Sequence, residues 1–360
     1  MLTEEIKNII VIVFVTFLFS ALIMPLMKRI AHHIGAIDVP RNVEEKRHIH
    51  KKPIPKLGGV GIFLAFLFGY MCFGVPSIRM NAILIGSFII VLTGIIDDIN
   101  DLKASRKLIG QLLAACVIVF YGGIKLTEIS AFGHTFNFGI LSIPATIFFI
   151  VACINIINFT DGLDGLSSGV TSIFYLTTGI IGIYQGRALS LEMTLSFIML
   201  GATLGFLLHN FHPASIFAGD CSQFMGFIIA VISLLGFKGT ALTSLFVPII
   251  ILGLPIIDTL FAIIRRTLQG RPIFSADKGH IHYQLLGMNL SQRKTVLIIY
   301  FINILFALTS IFYVLGDSQA AIIIYSILLI ILIWFVCFTN IITDKRPPKL
   351  KDIVKKKKNK

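Results

Sequence analysis

Apolar residues in this chain come in long unbroken runs, not in the alternation of a half-buried strand or the one-sided stripe of a soluble helix. Eleven such runs lie near residues 9–27, 57–73, 82–96, 108–121, 140–157, 166–184, 193–208, 224–237, 240–263, 296–315 and 320–342. Hydrocarbon offers backbone groups no partner outside their own segment, so each run is read as a helix long enough to approach the roughly 30 Å of a bilayer core. The fourth and eighth runs are short enough to be tilted or re-entrant. The pattern predicts an all-α, polytopic transmembrane helix bundle of about eleven spans, forming one domain over residues 1–342.

Composition sharpens this picture. Hydrophobic residues make up 56% of the 360, charged residues only 14%, and mean hydropathy is +0.90. So few charges cannot cover the surface of a soluble domain, which leaves lipid as the solvent for much of the chain. Positive charges partition sharply. Lys7, Arg79, Lys125, Arg187 and Lys238 are spread singly over one side, while the other 26 of 31 basic residues fall on the opposite side. Because inner loops carry the Lys/Arg excess, the N-terminus is placed outside and the C-terminus in the cytoplasm, as expected of a multi-pass protein of the cell (inner/cytoplasmic) membrane. The net charge of +13 then belongs to inner loops and to the basic tail 343–360, where it suits anionic lipid or an anionic substrate and not a nucleic acid.

The first run follows Glu4 and Glu5 and precedes no small-residue cleavage site, so it is expected to stay as a helix. The five cysteines have no CxxC spacing, which argues against zinc or a disulfide framework, and all five are read as buried small hydrophobes.

The same topology gathers acids on the inner side, in loops 28–56, 97–107, 158–165, 209–223 and 265–295. Like charges brought together call for a cation. In TGIIDDINDL, a continuing helix would put Asp97, Asp98 and Asp101 on one partial face, a hard-oxygen set suited to Mg²⁺ and a diphosphate, or to pairing with Lys103, Arg106 and Lys107. NIINFTDGLDGL offers Asn158, Asp161 and Asp164 around two Asp-Gly steps, a tight turn that can also read a polar ring or sugar. Asp220 in HNFHPASIFAGD has no basic neighbour in sequence, so a metal or a distant cation should hold it. His280 and His282, close to Arg265, Arg266, Arg271 and Lys278, suit phosphate contacts better than zinc. Asp258, about two turns inside its helix, is read equally as a functional acid or as the partner of a group such as a helix-end Arg, and is left outside the core site. Lys46, Arg47, His48 and His50 precede Pro53, Pro55, Gly58 and Gly59, which point to a shaped loop beyond a plain positive-inside signal.

From about Gly35 to Leu286 these loops resemble, in order, the polyprenyl-phosphate N-acetylhexosamine-1-phosphate transferases, a family that includes the phospho-N-acetylmuramoyl-pentapeptide transferases. The resemblance implies a bundle of ten or eleven helices with a cytoplasmic site. It assigns Asp97 and Asp98 to catalysis and, with Asp220, to the metal, Mg²⁺ with Mn²⁺ as the alternative. Asn158, Asp161, Asp164, Asn210, Phe217 and Gly219 match the nucleotide end, with Phe217 stacking on uracil. Lys46, Arg47, His50, Asp101, Lys107, Arg271, His280 and His282 match groups facing phosphate or sugar.

The separated HIH and the KRHIHKKPIPKLGG loop favour the branch that uses UDP-N-acetylglucosamine, hence the start of a teichoic acid, O-antigen or related glycopolymer. Two departures stand out. The family's GDxGS is here GDCSQ, one Gly short between Cys221 and Ser222, and its HxHH is here His280, Ile281, His282, Tyr283. As this segment is expected to be a surface loop, restoring the Gly is expected to be tolerated.

The resemblance implies transfer of N-acetylhexosamine 1-phosphate from a UDP-sugar to undecaprenyl phosphate with release of UMP. Asp97 would accept a proton from the lipid phosphate or position it, and both direct displacement and a two-step route through an aspartyl phosphate stay open. Two other readings are a catalytically weak homologue, motivated by the missing Gly, and a transporter or flippase of anionic glycoconjugates. The second would normally show internal repeats, and none is found.

Overall fold

The computed structural model describes residues 2–39, 52–131, 134–187, 190–236, 246–272 and 279–338. The chain forms two compact units, Met1–Pro248 and Ile249–Lys360.

The first unit begins with α1 (Leu2–Ile34), followed by a two-residue antiparallel pair, β1 (Ile37–Asp38) with β2 (Ile54–Pro55). Then come α2 (Gly58–Phe73), α3 (Ile78–Asn100) and α4 (Ala104–Cys116), which runs on as a π-helical turn over Val117–Tyr121. A hairpin of β3 (Glu128–Ala131) and β4 (His134–Asn137) precedes α5 (Ser142–Thr160), α6 (Leu166–Tyr184) and α7 (Leu191–Asn210). A single 3₁₀ turn, Gly219–Ser222, leads into α8 (Gln223–Gly236), and α9 (Phe246–Ile251) spans the division between units.

Every residue of α8 is buried, as expected of a helix apolar all round, and α3, α5, α6 and α7 pack about it. At the periphery α1 lies along α7 and α2. The contact with α7 is close because of Gly201 and Gly205. A Cβ at Gly201 would stand 2.5 Å from the Val13 carbonyl oxygen, and one at Gly205 2.4 Å from that of Phe17. Pro25 interrupts α1 and has no N–H to give the Ala21 carbonyl. His209 supplies the missing donor across the interface, its Nε2 3.0 Å from that oxygen. This leaves its Nδ1 to accept from Lys28 at 3.4 Å.

The second unit contains α10 (Gly253–Leu268), α11 (Ile281–Gly287), α12 (Gln292–Leu315) and α13 (Ser318–Phe338), with α12 packed on α13, α11 and α10.

Among the described residues nine helices are long and apolar enough to cross a membrane, and their outward faces carry large apolar side chains such as Leu22, Phe88, Phe301 and Trp334. Two of the eleven expected spans differ. The run 57–73 becomes α2, whose 16 residues reach only about 24 Å at 1.5 Å per residue. The run 240–263 is not one helix. Residues 240–245 lie outside the described residues, and the remainder breaks between α9 and α10, because Pro255 has no N–H for the Ile251 carbonyl and its ring crowds that group.

Candidate active site

Three helix ends meet in the first unit: the C-terminus of α3, the start of α4 and the turn that opens α8. α3 stops at Asn100 because Asp101 takes a left-handed conformation (φ 45°), its N–H bonding the Asp97 carbonyl at 2.9 Å. The continuous acidic face expected of Asp97, Asp98 and Asp101 is therefore not formed. Asp101 is exposed at the turn, while Asp97 and Asp98 are buried.

Asp97 Oδ1 accepts the Leu102 N–H at 2.6 Å, and its other oxygen makes an ion pair with Lys107. The Lys107 ammonium also donates to Asp220 Oδ1 at 3.0 Å. This is the distant cation that Asp220 requires, 113 residues away in sequence. Asp98 faces the same turn from the other side, with both carboxylate oxygens 3.1 Å from the Asp220 N–H.

Glycines make the approach possible. Gly219 has φ 68°, and a Cβ there would lie 2.3 Å from Asp98 Oδ2 and 2.4 Å from the Lys56 carbonyl oxygen. The Gly58 and Gly59 N–H groups at the start of α2 donate to the Phe217 and Ala218 carbonyls at 2.8 and 3.0 Å. A Cβ on Gly59 or Gly94 would run into Cys221. The GDCS turn is thus wedged between α2 and α3 with Cys221 and Ser222 fully buried. It is not the surface loop expected from sequence, and an inserted Gly meets a packed interior instead of solvent.

Beside the acids, Asn158 Nδ2 donates to Ser222 Oγ at 3.3 Å, and Asp161 accepts from Ser167 Oγ at 2.5 Å. Burial raises the Asp161 carboxyl to about 6, with the Ser167 and Ser222 hydroxyls opposing the rise. Asp164 holds the loop after α7, accepting from His212 Nδ1 at 2.7 Å and the Ala214 N–H at 3.1 Å. Asn210 is buried, accepts from the Gly165 N–H and the Ser168 hydroxyl, both at 3.0 Å, and donates to the Ile216 carbonyl at 3.0 Å. These two residues join the DGLDG turn to the segment carrying Phe217, which is half-buried.

In the second unit Asp258 receives His280 Nδ1 at 2.9 Å and the Ile281 N–H at 2.8 Å. The partner is a histidine and not a helix-end arginine, since the start of α11 presents a ring N–H and a helix N–H together. His282 is buried, stacks on His280 with centroids 5.5 Å apart, and is pushed down to about 3 by burial and by the neighbouring His280. Arg265 is buried and donates to the Gly279 carbonyl at 3.2 Å, while Arg271 is exposed. Lys46, Arg47 and His50 lie outside the described residues.

The five cysteines are free, but only Cys153 and Cys221 are buried. Cys72 and Cys337 lie on outward apolar faces, where lipid makes exposure inexpensive, so the expectation of burial for all five is corrected. Sequence reasoning passed over Gln111 and Gln223 and took Asn155 only as part of NIINFTDGLDGL; all three are amides within apolar helices next to the acids. Their position in such surroundings was the available signal.

The fold is that of a multi-pass membrane helix bundle with a carboxylate–ammonium cluster between its helix ends. Comparison with known proteins narrows the class. The model of Glycosyl transferase family 4 matches residues 80–237. The probable undecaprenyl-phosphate N-acetylglucosaminyl 1-phosphate transferase of Bacillus subtilis (strain 168) is 40% identical over 353 residues, 97% of each chain. The decaprenyl-phosphate N-acetylglucosaminephosphotransferase of Mycobacterium tuberculosis is 33% identical over 76% of this chain and 74% of its own. The phospho-N-acetylmuramoyl-pentapeptide-transferase of Clostridium beijerinckii is 32% identical over 78% and 89%. The chain belongs to the polyprenyl-phosphate N-acetylhexosamine-1-phosphate transferase family and is a glycosyl-1-phosphate transferase of the membrane.

Proposed function

We propose that the chain transfers N-acetylglucosamine 1-phosphate from UDP-N-acetylglucosamine to undecaprenyl phosphate at the cytoplasmic face, releasing UMP and starting a cell-envelope glycopolymer. The observation that carries this reading is the Lys107 ammonium shared between Asp97 and Asp220, held where three helix ends meet. The names of the relatives supply the substrate classes.

Among the described residues no three His, Cys, Asp or Glu side chains are arranged to hold a metal ion. Asp97 and Asp220 face Lys107, and Asp98 accepts the Asp220 N–H. Their chemistry fits a hard divalent cation, since three carboxylates gather beside one ammonium that touches only two of them. Asp220, with help from the Asp97/Asp98 pair, would hold Mg²⁺. When bound, Mg²⁺ neutralises charge on the diphosphate.

In this reading Asp97 orients the lipid phosphate and accepts its proton. The phosphate oxygen attacks the sugar-linked phosphorus, and the bond to UMP breaks. Phe217 stacks on uracil, and Asn158 and Asp161 contact the nucleotide beside Ser222. Asp164 and Asn210 hold the loops that shape this end. Within the second unit, Asp258 orients His280, which with His282 keeps the phosphate-facing role the resemblance implies. The buried anchoring of Asp220 by Asp98 supports an active enzyme despite the shortened GDCSQ turn.

UMP release measured against Mg²⁺ concentration tests the assignment. Asp220→Asn should lower turnover on the order of 100-fold or more, the loss typical of removing a preorganised electrostatic group, and raise the Mg²⁺ requirement of any residual activity. Asp97→Asn should be as slow but with a near-normal Mg²⁺ dependence. Near-normal turnover in Asp220→Asn removes it from the metal site. Mass spectrometry of lipid products from a panel of UDP-sugars tests the donor.

A further inference from the structure

Next to the acid cluster, and outside the roles assigned so far, three side-chain amides tie α4, α5 and α8 together. Gln111 Nε2 donates to Gln223 Oε1 at 2.7 Å, and Asn155 Nδ2 donates to Gln111 Oε1 at 2.8 Å and to the Val151 carbonyl at 2.8 Å. Gln111 and Gln223 are buried in the first unit.

Each amide sits about one turn from a group of the cluster. Gln111 follows Lys107 by four residues, so the two share a face of α4. Gln223 follows Asp220 by three and is the first residue of α8, directly after the turn that lacks the family's Gly. Asn155 precedes Asn158 by three, and Asn158 in turn meets Ser222. Apolar side chains at these positions would allow the helices to slide, since dispersion contacts are not directional. A chain of amides tolerates little sliding, because each displaced donor or acceptor is left buried without a partner.

We infer that the Gln111–Gln223–Asn155 triad is a positioning device that holds α4 against α8 at the spacing where Lys107 bridges Asp97 and Asp220. The inference rests on the reading of that cluster as the reaction centre. Gln223 also closes the shortened turn, since as the first α8 residue it fixes how Asp220 is aimed.

The test uses the purified full-length protein with Gln223→Leu, which keeps the volume and removes the acceptor, and Gln223→Glu, which keeps an acceptor for the Gln111 N–H. Gln223→Leu should lower kcat by roughly 10- to 100-fold, as expected of a displaced catalytic group, and leave KM for the UDP-sugar unchanged. Gln223→Glu should recover most of kcat. Gln111→Leu combined with Gln223→Leu should be no worse than Gln111→Leu alone, because Gln223 acts through Gln111.

A readout independent of turnover is acylation of Lys107 by an amine-reactive reagent without substrate or metal, followed by mass spectrometry relative to the other lysines. It should speed up in Gln223→Leu and stay slow in Gln223→Glu. Wild-type kcat and Lys107 reactivity in Gln223→Leu would overturn the inference, as would equal damage to kcat and KM that Gln223→Glu does not repair. Retained turnover in Asp220→Asn instead removes the cluster as the reaction centre, and absence of UMP release by the wild type defeats the proposed function. An inactive Asp220→Asn beside a wild-type-like Gln223→Leu defeats only the role of the triad.

Discussion

Asp161 illustrates how one buried acid couples the site to pH. Its carboxyl is raised from 3.8 to about 6 by burial, so the folded state binds a proton that the unfolded chain releases. The stability tied to this group is therefore complete below about pH 4 and lost as pH rises through about 6. Asp161→Asn removes the titration, and its thermal stability relative to wild type should improve from about pH 4 to about pH 6 and level off above that. A pH-independent difference would show that the carboxyl does not titrate there. Phe217 makes a different prediction. If it stacks on uracil, Phe217→Ala should weaken UDP-sugar binding by about 1–3 kcal/mol, as for other aromatic–base contacts, and leave polyprenyl-phosphate affinity unchanged. Calorimetry with UDP-sugar checks this, and unchanged affinity would make the ring a packing residue only.

At the scale of elements, the fit of α1 against α7 depends on a repair. Pro25 leaves the Ala21 carbonyl without its helical donor, and His209 fills the vacancy from α7. His209→Ala should destabilise the protein by about 1–3 kcal/mol, the cost of an unsatisfied buried acceptor. Pro25→Ala restores an N–H inside α1, so Pro25→Ala/His209→Ala should be more stable than His209→Ala alone. Additive losses in thermal unfolding of the detergent-solubilised variants would disprove the coupling. The glycines of α2 and α7 belong to the same scale, because they set how closely backbones approach at Cys221 and at α1.

For the whole molecule the testable quantity is topology. With 26 of 31 basic residues assigned to one side, a cysteine replacing Arg271 should react only from the cytoplasm. One replacing exposed Val75, between α2 and α3, should react with an impermeant reagent on intact cells. Both belong in a background without native cysteines, since Cys72 and Cys337 are exposed. Labelling of the Arg271 position from outside would reverse the orientation. A tag after Lys360 should likewise be found inside.

Hydrophobic run length alone determined the class of this protein, because only a helix can carry so many consecutive apolar residues through lipid, and nearly every run became a helix within a few residues of its expected ends. The motifs also named Asp97, Asp98, Lys107 and Asp220. Which of them touch was beyond the sequence. Lys107 and Asp220 are 113 residues apart, and their pairing depends on how α3, α4 and α8 pack. Periodicity could not foresee that Asp101 would end α3 with a positive φ, or that Pro255 would split a long apolar run, since both depend on local backbone geometry. Gln111, Asn155 and Gln223 were hidden for a related reason. Each is a neutral amide in a largely apolar helix, and its meaning appears only when three helices bring the amides within hydrogen-bond distance.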